Sequence, residues 1–334
     1  MSAVRSFGRF LANPWTPLER AALLGSKGKG QVWFNRIRLM SCSGLIAICQ
    51  LTSTQNKERN FQQCSQLIRE AGKEGVEMIF LPEGFDYIGS SVDETLNLSE
   101  PLNGPLLQRY SSLARELGVW LSLGGFHERG ETWETERKIY NSHILLNNSG
   151  EAISIYRKTH LFDAKVHDEV SVLESSFTSS GNSIGLPANT PIGKVGLGIC
   201  YDLRFPEFSM ALVNAGAEIL TYPSAFTDVT GRAHWEVLLR ARAIETQCYV
   251  VAAAQTGSHN TQRLSHGHSL VVDPWGEVLA DAGTHPGFQL ALIDHQHLLS
   301  VREKLPVLHQ RRFDLYGMCG ANNRQSATDT QRER

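Results

Sequence analysis

Short apolar runs alternate along this chain with segments whose apolar positions recur at helical spacing, and the alternation begins near residue 44. Gly44 to Leu51 (GLIAICQL) is too short for a buried helix and too apolar for a loop, so it reads as a strand. Lys57 to Ala71 places Phe61, Cys64, Ile68 and Ala71 on one helical face, closed by Gly72. A second buried strand, Val76 to Leu81 (VEMIFL), ends at Pro82-Glu83-Gly84. Asn103-Gly104-Pro105 then opens a helix bearing Leu106, Leu107, Tyr110, Leu113, Ala114 and Leu117, and Gly118 stops it. Val119 to Gly124 (VWLSLG) reads as a third strand.

The middle of the chain follows hairpin logic. Ile139 to Leu146 and Ala152 to Tyr156 flank Asn147-Asn148-Ser149-Gly150, a turn rich in residues that tolerate left-handed backbone. Residues 163–190 lack clear periodicity and are rich in Ser and Gly, which predicts a long loop, a feature that in a compact domain signals function or disorder. Val195 to Ile199 reads as a buried strand, and Pro206 opens a helix with Phe208, Ala211, Leu212 and Ala215 on its face. Then come a strand at Glu218 to Tyr222, a helix at His234 to Gln247 and a strand at Tyr249 to Ala254. Short strands at Leu270 to Asp273, Val278 to Ala280 and Leu290 to Ile293 close the pattern around a Pro274-Trp275-Gly276 turn. Strands outnumber helices and hairpins mix with crossovers, which predicts an α/β chain of stacked sheets with helices outside, not a Rossmann sheet or a barrel.

Composition narrows the function. A chain of 334 residues supports a sizeable core in a single domain, and 41% apolar with 20% charged residues describes an ordinary soluble globule. A formal charge of −2 leaves no footprint for nucleic acid or an anionic membrane surface, so a small-molecule substrate is the expected partner. No run approaches the roughly 18 apolar residues needed to span a bilayer. The six cysteines lie far apart without a Cys-x-x-Cys pair, as in a reduced, intracellular protein; Cys49, Cys64 and Cys248 read as core filling. Residues 1–40 carry Arg5, Arg9, Arg20, Lys27, Lys29, Arg36 and Arg38 against the single acid Glu19. Such a leader predicts a mitochondrial transit peptide, with a disordered basic tail as the alternative, and Met40 offers a start for a shorter cytoplasmic chain. The polar residues 320–334 are expected to be a disordered tail, leaving 41–319 as the enzymatic domain.

Three polar residues stand just after strand-like runs: Glu83 after IFLP, Lys158 after ISIYR and Cys200 after VGLGI. Sites in α/β proteins gather beyond the carboxyl ends of strands, so the three can meet in one cleft. Cys200, between a strand end and a helix start, gains backbone N–H groups and the positive end of a helix, while Gly196 and Gly198 admit a neighbouring backbone or ligand. As a set they describe a thiol hydrolase that needs no histidine. Glu83 takes the Cys200 proton, the thiolate attacks an amide or nitrile carbon, and Lys158 faces the oxyanion beside the Tyr201 backbone N–H. Ordinary pKa values of about 4.3 and about 8.5 put that proton transfer roughly 5.7 kcal/mol uphill; burial is expected to raise the acid and the ammonium to lower the thiol. Taken singly, each residue also reads as a solvated ion pair or a core cysteine. Arg204, one turn beyond Cys200, suits a substrate carboxylate or a salt bridge with Glu207. Phe85, Tyr87, Phe226 and Thr227 are candidates for the pocket wall or for the core. His266-Gly267-His268 lacks the acids or cysteines at ligand spacing that a metal site requires. A papain-like pairing of Cys200 with His160 or His234 is the rival arrangement.

The stretches LPEGFD, YRKTHLFD and GICYDLRFPE resemble the signature of the nitrilase superfamily of carbon-nitrogen hydrolases, and the resemblance extends from about residue 45 to about 317 through YPSAF, AHWEVLLRARAIETQCYVVAAAQ, GHSLVVDPWG and RRFDLYG. It implies a four-layer α-β-β-α sandwich, no metal or organic cofactor, and a thioester intermediate resolved by water. It also implies a second glutamate that orients the lysine and the water, matched here by Glu174. The helices after Cys200 and at 234–247 resemble a pair that self-associates in the superfamily, so a homodimer or higher assembly is expected. GGFHERG, YRKTHLFD and YPSAF look most like the branch described as cleaving the amide of deaminated glutathione to 2-oxoglutarate and cysteinylglycine in cytosol and mitochondria. One departure is Gly231-Arg232-Ala233-His234, where that branch more often has Gly-Pro-Ala-His; Arg232 is either solvated or an added contact for a carboxylate. An omega-amidase acting on 2-oxoglutaramate-like monoamides, a true nitrilase and a non-catalytic binding protein remain alternatives on the same scaffold.

Overall fold

The computed structural model describes residues 43–167 and 170–317. The basic leader, Met40 and the polar tail at 320–334 lie outside the described residues. Among the described residues, two six-stranded sheets form the centre of the molecule. The first runs in the order β16 (Gly287–Asp294), β1 (Ser43–Gln50), β2 (Met78–Leu81), β3 (Trp120–Arg129), β4 (Ile139–Leu146), β5 (Ala152–Arg157). The second runs β15 (Val278–Asp281), β14 (Leu270–Val272), β11 (Tyr249–Ala252), β10 (Ile219–Thr221), β9 (Gly193–Leu197), β8 (Ala188–Thr190). In each sheet the three parallel strands, β1-β2-β3 and β9-β10-β11, sit centrally and antiparallel strands flank them.

Alternation along the strands builds the layers. Ile46, Ile48, Met78 and Phe80 pack with Val195, Leu197 and Ile219 of the second sheet, whereas Ala47, Cys49, Ile79 and Leu81 turn to helices α1 (Lys57–Lys73) and α3 (Pro105–Leu117). Both faces are covered, so these strands read as unbroken apolar runs. Helices α5 (Pro206–Asn214) and α6 (Asp228–Thr246) add Phe208, Leu212, Trp235, Leu239 and Ala243 to the core of the second sheet. The result is the four-layer α-β-β-α sandwich. Gly196 and Gly198 serve this packing and not a ligand: a Cβ at Gly196 would lie 3.2 Å from Leu212, and one at Gly198 would lie 3.0 Å from Phe208. Both contacts are with α5, which could not close onto β9 over larger residues.

Several boundaries move. Residues 163–190 are not one loop: they hold the ribbon β6 (Asp163–His167) and β7 (Val170–Leu173), a single 3-10 turn at Glu174–Ser176, and β8. Strands this short carry too few positions for periodicity to register. Helix α6 begins well before His234, because the Thr227 hydroxyl accepts from Thr230 N–H and caps it. A two-stranded hairpin, β12 (Thr256–Ser258) with β13 (Leu264–His266), and the helices α2 (Val92–Leu98), α4 (Trp133–Glu136) and α7 (His295–Lys304) also escaped the pattern.

Candidate active site

Glu83, Lys158 and Cys200 each follow the carboxyl end of a strand, β2, β5 and β9, and Glu174 opens the 3-10 turn after β7. The backbone holds each in place. Gln255 Nε2 donates to the carbonyls of Glu83 (3.0 Å) and Gly84 (3.2 Å). Gly125, at φ 66°, packs under Glu83, where a Cβ would come within 2.6 Å of Glu83 Cγ. Lys158 N–H donates to the Asn141 carbonyl at 2.9 Å, and Phe162 N–H to Glu174 Oε2 at 2.6 Å. Cys200 stands at φ 45°, a left-handed conformation that costs a non-glycine residue about 1–3 kcal/mol, and its N–H donates to the Pro223 carbonyl at 3.0 Å. It opens a one-turn 3-10 helix, Cys200–Arg204, so the expected helix start is this short turn and α5 follows it.

The side chains converge. Lys158 Nζ, 2% exposed, donates to Glu83 Oε1 at 3.0 Å and to Glu174 at 2.9 Å (Oε2) and 3.2 Å (Oε1). Asn141 Nδ2, from β4, donates to the same Glu83 Oε1 (2.9 Å) and Glu174 Oε1 (3.1 Å). Glu83 Oε2 accepts from the Ala225 backbone N–H at 3.0 Å. The Cys200 thiol is near enough to the Glu83 carboxylate and to that same N–H for both to act on its charge. The Tyr201 N–H has no acceptor among the described residues.

Electrostatics reverse one expectation. Burial raises Glu83, yet the Lys158 ammonium, the Cys200 thiol, Arg263 and Asn141 outweigh it and hold the carboxyl below its usual range. Burial and the Glu83 carboxylate push the Cys200 thiol up, with Lys158 and the Ala225 N–H pulling only part of the way back. Burial likewise opposes the charge on Lys158, but Glu174 and Glu83 together keep it an ammonium far above neutrality. The resting pair is therefore thiol and carboxylate, and the proton gap is wider than in water instead of closed.

A second buried cluster braces the site. Asp202, fully buried, accepts from Ile199 N–H (2.9 Å) and Tyr156 OH (2.8 Å) on Oδ2 and from His160 Nδ1 (2.7 Å) and His160 N–H (3.2 Å) on Oδ1. It ties the strand end that leads to Lys158 to the turn that carries Cys200. His160 is thereby committed to Asp202, its ring stacked on Phe205 at 3.8 Å, and His234 Nδ1 faces the Arg204 guanidinium at 3.2 Å. Neither is placed as a base for Cys200, so the papain-like arrangement falls.

The outer candidates divide. Phe85 is enclosed by Tyr110 and Phe126 in the core under α3, and Tyr87 is fully buried, stacked on His127 with its OH donating to the Thr95 carbonyl at 2.6 Å. Both are core residues and wall no pocket. Thr227 spends its hydroxyl on the α6 cap. Phe226 packs on Trp235 and lies under Arg204, whose guanidinium is 5.2 Å from its ring and forms no ion pair with Glu207. Arg232 is bound to Asp228 at 2.9 Å on the surface. Three residues that matter were invisible to motif reading: Asn141, Asp202 in its bracing role, and Arg263, an exposed residue in the β12–β13 turn that forms no ion pair with the described residues. Asn141 and Asp202 lie inside apolar strands or motifs, and Arg263 announces itself only through its field at Glu83.

Comparison with known proteins gives the family. The family model described as carbon-nitrogen hydrolase matches residues 45–303, and the chain belongs to that family. Its relatives include the bovine (Bos taurus) deaminated glutathione amidase, 58% identical over 291 residues that span 85% of this chain and 89% of that one. The human (Homo sapiens) deaminated glutathione amidase is 58% identical over 276 residues, 83% of this chain and 84% of that one. Among solved structures, the C. elegans NitFhit protein superposes with a TM-score of 0.78 at 45% identity, covering 83% of this chain and 66% of that one.

Proposed function

We propose that this protein is a cysteine-dependent amidase that hydrolyses the amide of deaminated glutathione to 2-oxoglutarate and cysteinylglycine. The observation that carries the chemistry is the Lys158 ammonium bonded at once to Glu83 and Glu174, with the Cys200 thiol against Glu83. As Sγ attacks the amide carbon, its proton passes to Glu83, and negative charge leaves the carboxylate for the new oxyanion. Lys158 is already bonded to that carboxylate and, with the Tyr201 N–H, faces the oxyanion, so the charge moves without leaving the ammonium, and the thiol need not ionise beforehand. This is how a thiol with a raised pKa reacts at neutral pH. The tetrahedral species collapses with C–N cleavage, and Glu83 returns its proton to the departing amine of cysteinylglycine. Water, deprotonated by Glu83 and oriented by Glu174, then attacks the thioester; the second collapse frees 2-oxoglutarate and restores the thiol.

The substrate reading is supported by the relatives and by two guanidinium groups, Arg204 and Arg263, that lack a carboxylate partner among the described residues. Deaminated glutathione carries a carboxylate at each end, and arginine is the side chain suited to them. The basic leader supports import into mitochondria, with a cytoplasmic form from Met40. Val229, Val237 and Ile244, exposed along α6, support pairing with a second copy. A product assay with mass detection on deaminated glutathione, 2-oxoglutaramate and a simple nitrile tests the assignment. Preferred turnover of deaminated glutathione is expected; preference for either other compound refutes the substrate.

A further inference from the structure

Asn141 carries no charge and belongs to no motif, yet it is buried, only 8% exposed, and its amide touches both glutamates of the site. Its Nδ2 and Lys158 Nζ donate to the same two oxygens, Oε1 of Glu83 and Oε1 of Glu174. A carboxylate oxygen has two lone pairs, so Glu83 Oε1 is saturated by its two donors. Glu83 Oε2 accepts the Ala225 N–H and no other nitrogen donor among the described residues, and that N–H and the Glu83 carboxylate both act on the charge of the Cys200 thiol. Because two carboxylates flank Nδ2, the amide cannot be turned over without placing an oxygen against them. The consequence is that Asn141 Oδ1 is buried without a hydrogen-bond partner. A side chain kept only for packing would shed an orphaned buried acceptor.

We propose that Asn141 is a positioning residue that selects which oxygen of Glu83 acts as the base. By filling Oε1 together with Lys158 it leaves Oε2, beside the sulfur, as the atom that takes and returns the proton. By holding Glu174 through the same amide it keeps the two glutamates in register with the ammonium. This rests on the reading of Glu83 as the general base.

The test uses the full-length enzyme with three variants. Asn141→Leu keeps the shape and removes the donor; kcat is expected to fall about 100-fold, the lower end of what positioned proton transfer contributes, with KM little changed. In Asn141→Asp the new carboxyl donates only when protonated and repels both glutamates when ionised, so its kcat is expected to rise as pH falls from 8 to 5, whereas the wild type, with Glu83 and Lys158 charged throughout, does not rise. A purely structural role would lower the melting temperature and leave the pH profile of the folded fraction unmoved. Wild-type kcat in Asn141→Leu, or a wild-type slope in Asn141→Asp, overturns the proposal. Should Asn141→Leu fail to fold, the Asn141→Asp profile decides alone. Glu83→Gln, run alongside, separates the two ideas: full activity there removes the base itself, whereas an inactive Glu83→Gln beside wild-type-like Asn141 variants removes only the role of Asn141.

Discussion

Two buried polar clusters occupy the carboxyl ends of the strands, and they differ in whether their hydrogen bonds close. Around Asp202 both carboxylate oxygens are filled by donors from Tyr156, His160 and Ile199, and the cluster has no open valence. Around Lys158 the counting leaves remainders: Glu83 Oε2 with one donor, Asn141 Oδ1 with none, and a Tyr201 N–H without an acceptor. A closed network rigidifies; an open one, held in place by a closed neighbour, is available to a substrate. Burial alone does not separate the two, since Asp202 and Lys158 are equally hidden.

Substitutions that exploit this contrast should split activity from stability. Cys200→Ala is expected to reduce hydrolysis to background while the melting temperature stays within a few degrees of the wild type, because the sulfur belongs to the open cluster. Asp202→Ala should do the reverse. It strands the Ile199, Tyr156 and His160 donors and is expected to cost about 3 kcal/mol, read as a melting temperature lower by roughly 10 °C. A variant as stable as the wild type would show that the closed cluster is not the brace.

Arg263→Ala sharpens the contrast at the rim. Loss of one charge-assisted hydrogen bond to a carboxylate is worth about 1.5–3 kcal/mol, so KM for deaminated glutathione should rise roughly 10- to 100-fold, with little change for an amide lacking carboxylates. An equal loss on both substrates would assign Arg263 to the field at Glu83 instead.

The smallest effect is one of pH. His143 bridges the sheets, bonded to the Gly198 carbonyl at 3.0 Å and to Ser122 Oγ at 2.6 Å, and burial lowers it to about 4. Its folded pKa lies below the unfolded one, so the unfolded chain takes up the proton first. Stability is full above about pH 6.5 and is lost as pH falls toward 4, by about 2 kcal/mol at pH 5. Urea unfolding of wild type and His143→Gln at pH 7 and pH 5 measures it; an identical pH dependence in the two would assign the loss elsewhere.

The sandwich and the acid, ammonium and sulfur were legible in the sequence because each catalytic candidate follows an apolar run, and a run followed by a lone polar residue is visible in one dimension. Glu174 was legible only through family resemblance, since the strands that deliver it are too short to show a period. Asn141 looked like one more polar position on a hairpin arm. The direction of the Glu83 and Cys200 shifts was misjudged because it depends on how many donors surround each atom, which only the fold reveals. Phe85 and Tyr87 misled for a related reason: nearness to Glu83 along the chain says nothing about which side of the sheet a ring packs on.

The central claim is that Cys200 carries the acyl group between two proton transfers. Rapid acid quenching during turnover of deaminated glutathione, followed by peptide mass mapping, tests it most directly. A 2-oxoglutaryl adduct on the peptide that contains Cys200, absent in Cys200→Ala, is the predicted result. Product accumulating with no acyl adduct, or with the adduct on another residue, would contradict it.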